Sequence, residues 1–261
     1  LANDDLFEQT QLQIKNRINV AQISRDKSKE TYYKKDVDVA KGMRNFHNYI
    51  KSIIIYKYCN NKKVLDIGVG RGGDLMKFYH SRVKSIIGLD VDSYELESTT
   101  DGPKSRAKNL RQKFPGFPPM YFGLGNAGSL FNLEDQNKIF NNMSDNHKQL
   151  LIKNFGETKS KKNNNNKFQV FNCQFMIHFI FKSDNTLNNF CQNIIDYLDT
   201  DGYLLITTLD GKKLDNLFKN NDGIIESYYT DEEDNKKLFF RFKANYDITN
   251  TDTNKTGLNY E

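Results

Sequence analysis

VLDIGVGRGGDLMKF, residues 64–78, runs from apolar residues through an acid into closely spaced glycines and then into a second apolar pattern. The run KVLDI reads as a strand with no polar face to spare, and the residues after the glycines read as a helix over 72–80. Glycines at 68, 70, 72 and 73 let the backbone turn sharply and let a ligand lie against peptide groups with no Cβ in the way. A GxGxGG loop after a strand serves a dinucleotide as well as other nucleoside cofactors, and its plainest reading is a tight turn.

The flanking sequence repeats the same strand-then-helix order. Strand-like runs are KVLDIG (63–68), KSIIGLD (84–90), MYFGLG (120–125), KFQVFNCQF (167–175) and GYLLITTLD (202–210), with helical patterns at 72–80, 92–113, 132–141 and 184–199. This alternation predicts an α/β, Rossmann-like fold with a doubly wound, mostly parallel sheet, in which ligands bind beyond the carboxyl ends of the strands. Upstream, KGMRNFHNYIKSIIIYKY places Met43, Phe46, Ile50, Ile53 and Ile54 at helical spacing, with Arg44, Asn48 and Lys51 on the opposite, polar face. Residues 1–40 are expected to be an N-terminal arm and 41–261 a single domain. GETKSKKNNNNK, 156–167, reads as a solvated insertion rather than an RNA-contacting loop. After residue 219, GIIESYYT and KKLFFRFKANYDI read as two further strands in an antiparallel edge hairpin.

Asp90 ends the second strand-like run, 20 residues beyond Gly70, where an acid can accept both hydroxyl hydrogens of a ribose. Dinucleotide sites share that acid. Asp66 before the glycine loop and Asp74 after it argue against a pyrophosphate, which two carboxylates would repel. A cofactor with a cationic amino-acid end and no phosphate suits them better, and S-adenosylmethionine is such a molecule.

Composition sets outer bounds. The 261 residues suffice for one α/β core, 27% are charged, and mean hydropathy is −0.73. Thirty-eight Lys and Arg against 33 Asp and Glu give a net charge of +5, which permits a polyanionic partner without requiring one. Cys59, Cys173 and Cys191 have no metal-ligand or disulfide spacing, so a reducing compartment and no metal are expected. No apolar run reaches a membrane span, and LANDDLFEQT has no secretory core, so neither membrane association nor secretion is expected. The missing initiator Met suggests a piece of a longer chain.

Four stretches together resemble one family: MRNFHNYIKSIIIYK (43–57), VLDIGVGRGGDLMKF (64–78), FNCQFMIHFIF (171–181) and GYLLITTLDGKKL (202–214). They are similar to the mRNA cap (guanine-N7) methyltransferases, particularly the methyltransferase module of large DNA-virus capping enzymes. The third stretch is the most specific, because Gln-Phe-x-x-His followed by an aromatic is no general feature of such folds. The resemblance implies a class I S-adenosylmethionine-dependent methyltransferase acting on 5′-capped mRNA. It implies that Lys51, Gly68, Asp90, Asn126, Gln174 and Phe179 bind the cofactor. It puts His47, Asn48, Arg71, Lys77, Arg106, Phe175 and His178 at the cap and its phosphates, with His178 and Phe179 orienting the acceptor. Family members carry Tyr where Phe179 stands and an acid where Asn126 stands. Their guanine-reading Glu lies on later strands, where only Glu261 is available, so the cap pocket is expected to be incomplete at this end.

Guanine N7 has an in-plane lone pair and no proton, so the implied reaction needs alignment rather than a general base. Two other readings stand beside it: a methyltransferase for small molecules or proteins, and a non-catalytic RNA-binding module on the same fold. Ribose 2′-O-methylation is disfavoured, because no Lys/Asp/Lys/Glu set can be assembled. The resemblance also implies fusion to triphosphatase and guanylyltransferase modules, a stimulatory subunit, and a cytoplasmic viral factory or virion for a viral source, or a nucleus for a cellular one.

Overall fold

The computed structural model describes residues 41–156, 167–230 and 233–249. The N-terminal arm, most of the 156–167 insertion and Glu261 lie outside the described residues. Five strands form one sheet: β1 (Lys63–Ile67), β2 (Ser85–Asp90), β3 (Met120–Leu124), β4 (Phe168–Gln174) and β5 (Leu198–Thr207). Their order is β3-β2-β1-β4-β5, and every pairing is parallel. The chain therefore reverses its direction of travel across the sheet between β1 and β4, which leaves a crevice at their carboxyl ends.

Burial explains the composition of the central strands. Val64, Leu65, Ile67, Ile86, Phe168, Val170 and Phe171 are all buried, as expected where helices cover both faces. β5 lies at one edge of the sheet and behaves differently: Leu205 is buried, while Tyr203, Leu204 and Ile206 remain exposed. The predicted hairpin forms from β6 (Ile224–Thr230) and β7 (Lys236–Lys243), antiparallel and as a two-stranded sheet of its own.

The first helix, α1 (Lys41–Tyr58), lies against α2 (Leu75–His80) and β5. Its core anchors are Ile55 and Ser52, the latter buried because its hydroxyl donates to Asn48 O at 2.7 Å. Met43 and Phe46, assigned by periodicity to the apolar face, are exposed.

The helix read over 92–113 is two, α3 (Ser93–Glu97) and α4 (Pro103–Lys113). Pro103 cannot sit inside a helix and instead starts one, behind Gly102, whose Cβ would fall 2.5 Å from Glu95 O. Helices α5 (Leu133–Ile139) and α8 (Asp184–Tyr197) follow the expected patterns. Three were not anticipated: α6 (Asp145–Phe155), the single turn α7 (Ile177–Ile180) and α9 (Gly211–Lys219).

Candidate active site

The glycine loop sits at the mouth of the crevice. Gly68, Gly70 and Gly72 all have positive φ, and a Cβ on Gly68 would meet Met176 Cβ at 3.0 Å. At Gly70 and Gly73 a Cβ would meet nothing within 4 Å, so this side of the loop borders open space where a ligand can approach peptide groups. Gly68 N–H donates to Leu89 O at 2.8 Å, and Gly70 N–H donates to Asp90 Oδ2 at 2.7 Å. Asp90 Oδ1 accepts from Asp92 N–H at 3.0 Å. Each oxygen of Asp90 thus has one backbone donor that fixes it and keeps acceptor capacity for a diol.

The acids flanking the loop are compensated. Asp74 Oδ1 lies 2.8 Å from both Lys51 Nζ and Lys77 Nζ. Burial alone would raise the Asp74 pKa, but Lys77 and Lys51 outweigh it and hold the carboxyl below its ordinary value. Asp66 is 5% exposed and accepts from Asn172 Nδ2 at 2.7 Å; burial first and the Asp74 charge second push it up to about 7. Repulsion of a pyrophosphate by these two acids is therefore weaker than their count suggests.

Helix α1 supplies one wall. Lys51 reaches Asp74, Asn48 Oδ1 accepts from Lys77 Nζ at 2.9 Å, and the His47 ring lies 4.6 Å from the Phe175 ring, centroid to centroid. The first turns of α1, Met43 and Phe46 included, are exposed, and its burial begins further along the helix.

From β4, a polar chain crosses the crevice floor: Thr207 Oγ1 donates to Gln174 Oε1 at 2.8 Å, Gln174 Nε2 to Asn172 Oδ1 at 2.7 Å, and Asn172 onward to Asp66. Phe175 follows with φ 55°, its N–H donating to Thr207 O at 2.9 Å. Sequence reasoning put His178 at a strand end beside Gln174. The strand ends at Gln174, and His178 and Phe179 stand exposed on α7, one turn further on. The surrounding protein lowers the His178 pKa by desolvation, which favours a neutral ring at pH 7.

Other expected residues are arranged in a second group. Arg71 Nη2 donates to Glu95 Oε1 at 2.9 Å and Nη1 to Asp101 Oδ2 at 2.8 Å. Arg71 therefore ties the glycine loop to α3 and to the turn before α4, and a phosphate would have to compete with two carboxylates. Arg106 on α4 is exposed and helps lower the Asp101 pKa, behind the Ser98 hydrogen bond and the Arg71 charge. Asn126 follows β3; its Oδ1 accepts from Gly128 N–H at 2.8 Å. Sequence reasoning missed Asn172, Thr207, Glu95, Asp101 and Met176. Their roles come from pairings across 24 to 108 residues, which no local spacing reveals.

A family described as mRNA (guanine-N(7))-methyltransferase domain matches residues 8–247. A protein of Acanthamoeba polyphaga mimivirus named "Probable mRNA-capping enzyme" is 42% identical over 229 residues, covering 87% of this chain and 18% of that protein. The mRNA cap guanine-N(7) methyltransferase of Schizosaccharomyces pombe is 24% identical over 170 residues, covering 63% of this chain and 38% of that one. The chain thus spans less than half the length of either relative. Among solved structures, an S-adenosylmethionine-dependent methyltransferase from Clostridium acetobutylicum aligns with a TM-score of 0.42 at 16% identity, over 81% of this chain and 63% of that one.

Proposed function

Because the chain belongs to the mRNA (guanine-N(7))-methyltransferase family, we propose that its crevice transfers a methyl group from S-adenosylmethionine to N7 of the guanine that caps 5′-mRNA. One observation carries this reading. The glycine loop of β1 and the Gln174–Phe175 end of β4 lie at the same reversal of strand order, and α1 bridges them through the Lys51–Asp74 ion pair and the His47–Phe175 ring contact.

Bound there, S-adenosylmethionine supplies a sulfonium that makes its methyl carbon electrophilic. The open faces of Gly70 and Gly73 fit an adenosyl group against the loop, and Asp90 fits a ribose diol. Lys51 fits the cofactor carboxylate while still held by Asp74, and Gln174, fixed by Thr207 and Asn172, borders the methionine side. Gly68 lines the cofactor site, Asn126 beyond β3 offers an amide oxygen to the adenine amino group, and Phe179 flanks the methionine side with Gln174. His47, Asn48, Lys77, Phe175 and His178 face the acceptor. A neutral His178 beside Phe179 suits a guanine edge and face, and Lys77, anchored by Asp74 and Asn48, offers a point charge to the triphosphate bridge.

N7 has no proton to lose, so the protein's contribution is to bring nitrogen and methyl carbon into line and exclude water from the gap. The wider context proposed is a module of a larger capping enzyme, with triphosphatase and guanylyltransferase activities elsewhere. The test is methyl transfer from labelled cofactor to capped RNA, followed by nuclease digestion. Label in N7-methylguanosine is expected; label in a ribose or an internal base would overturn the assignment.

A further inference from the structure

The end of the sheet opposite the crevice carries a second surface. The turns that lead into β1, β2 and β3 are tied side by side there. Asn61 N–H donates to Arg82 O at 3.0 Å, Lys84 N–H to Lys62 O at 2.9 Å, and Ile86 N–H to Pro119 O at 3.0 Å. Between two of these turns opens a cavity of about 400 Å³, lined by Tyr79, His80, Arg82, Gly116 and Pro118 among others.

Three properties mark this surface. The first is its charge: residues 57–63, 79–85 and 111–119 contain Lys, Arg and a His but no Asp or Glu. Among the described residues, Asp196, Asp199 and Asp201 also lie at this end, at the close of α8 and the start of β5, beyond β1 and β4 from the cavity. Arg82, Lys84, Arg111 and Lys113 are exposed, and among the described residues none of them has an ion-pair partner. The crevice differs, since Lys51, Arg71 and Lys77 are all paired with carboxylates there.

The second is an aromatic ring in the lining, Tyr79, backed by two more. Tyr79 packs on Phe117 at 5.6 Å in stacked geometry and lies 5.3 Å from Phe114.

The third is backbone strain. Helix α2 ends in a Schellman motif, with Arg82 N–H on Tyr79 O at 2.9 Å and Val83 N–H on Phe78 O at 3.3 Å. The residue between them must be left-handed, and Arg82 is, at φ 55°. Glycine is the usual occupant, and a side chain there is disfavoured. Asn61, Phe175, Asp222 and Asp234 share the conformation, but of these five described residues only Arg82 lines the cavity, where it is exposed.

We propose that this surface binds single-stranded RNA, with phosphates on Arg82, Lys84, Arg111 and Lys113 and a base in the cavity against Tyr79. Cations interleaved with aromatics are the chemistry of sequence-tolerant RNA binding. An acidic protein segment would use the cations but leave the cavity and its Tyr79 ring idle. The inference goes beyond methyl transfer and stands without it, since an uncapped RNA suffices to test it.

The experiment measures anisotropy of a labelled, uncapped single-stranded RNA with the whole chain across a salt series, with cap dinucleotide in excess to block the crevice. Arg82→Gly is the informative variant, because it relieves strain: its urea midpoint should equal or exceed that of the parent. Its RNA affinity should nevertheless fall about 3- to 10-fold, and its salt slope should drop by about one ion. Arg111→Glu with Lys113→Glu should lose more. If the crevice turns over, Arg82→Gly should raise KM for long capped RNA and leave cap-dinucleotide kinetics unchanged. Unchanged affinity and slope in Arg82→Gly would overturn the proposal. So would polyglutamate competing as well as RNA at equal charge, which would make the surface a dock for an acidic protein.

Discussion

Asp90 has one backbone donor on each carboxylate oxygen, a geometry that holds it rigid before any ligand arrives. Two hydrogen bonds from a ribose diol to a charged acceptor contribute about 1.5–3 kcal/mol each. Asp90→Ala should therefore weaken S-adenosylhomocysteine binding by about a hundredfold or more in calorimetry, whereas His178→Ala, altered one turn beyond β4, should leave it nearly intact and impair cap binding. Equal losses in both variants would abolish the division between donor and acceptor sides. Glycines of the loop separate in a similar way. Gly68→Ala meets both positive φ and Met176, and should destabilise the fold by at least the roughly 1–2 kcal/mol of the left-handed conformation, read from the urea midpoint. Gly70→Ala meets only the backbone term and open space, so its loss of cofactor affinity should exceed what its smaller stability change explains. Asp90 and the loop were legible because both follow from spacing along the chain. The carboxylates that hold Arg71 were not, since Glu95 and Asp101 read only as ordinary polar residues of a helical stretch.

At the scale of elements, α1 is docked by its middle and C-terminal turns to the core and by its polar face to the glycine-loop helix. Asp74 is the joint. With Lys51 and Lys77 both on one oxygen, Asp74→Asn should leave two cations without their partner and disturb the placement of α1 over the crevice. Removing one member of a largely buried ion pair costs about 3–5 kcal/mol, and the expected midpoint loss lies toward the lower figure because the pair keeps some solvent contact. The chain's periodicity predicts α1 correctly but assigns Met43 and Phe46 to its buried side; spacing marks a face, and cover along that face depends on neighbours that only the later turns meet. Pro103 shows the opposite failure. Helical spacing runs straight through TTDGP, although a proline cannot take an interior helical position.

Over the whole molecule, the two acids beside the glycine loop tilt stability in opposite directions with pH. Asp74, held below its ordinary pKa, adds stability that is present above the unfolded value and lost as pH falls through the folded one. Asp66 is raised from 3.8 to about 7, so the folded state keeps a proton that the unfolded chain releases; its contribution is full below pH 4 and disappears as pH rises toward 7. Asp66→Asn should flatten the urea-midpoint profile between about pH 4 and pH 7, and a slope unchanged from the parent would contradict the assignment. Strand order was legible as alternation, yet the crossing chain from Thr207 to Asp66 joins β5, β4 and β1, and no single stretch contains it. The sheet has a further effect on what the protein can accept. All its strands point the same way, so the crevice and the basic turns lie a full strand apart, about 16 Å for five residues. On the proposed RNA surface, a transcript held at both places would have to travel around the flank of the domain, which would make the protein a ruler: capped oligonucleotides too short for the journey should behave like the bare dinucleotide, and KM should step down once the chain is long enough to reach.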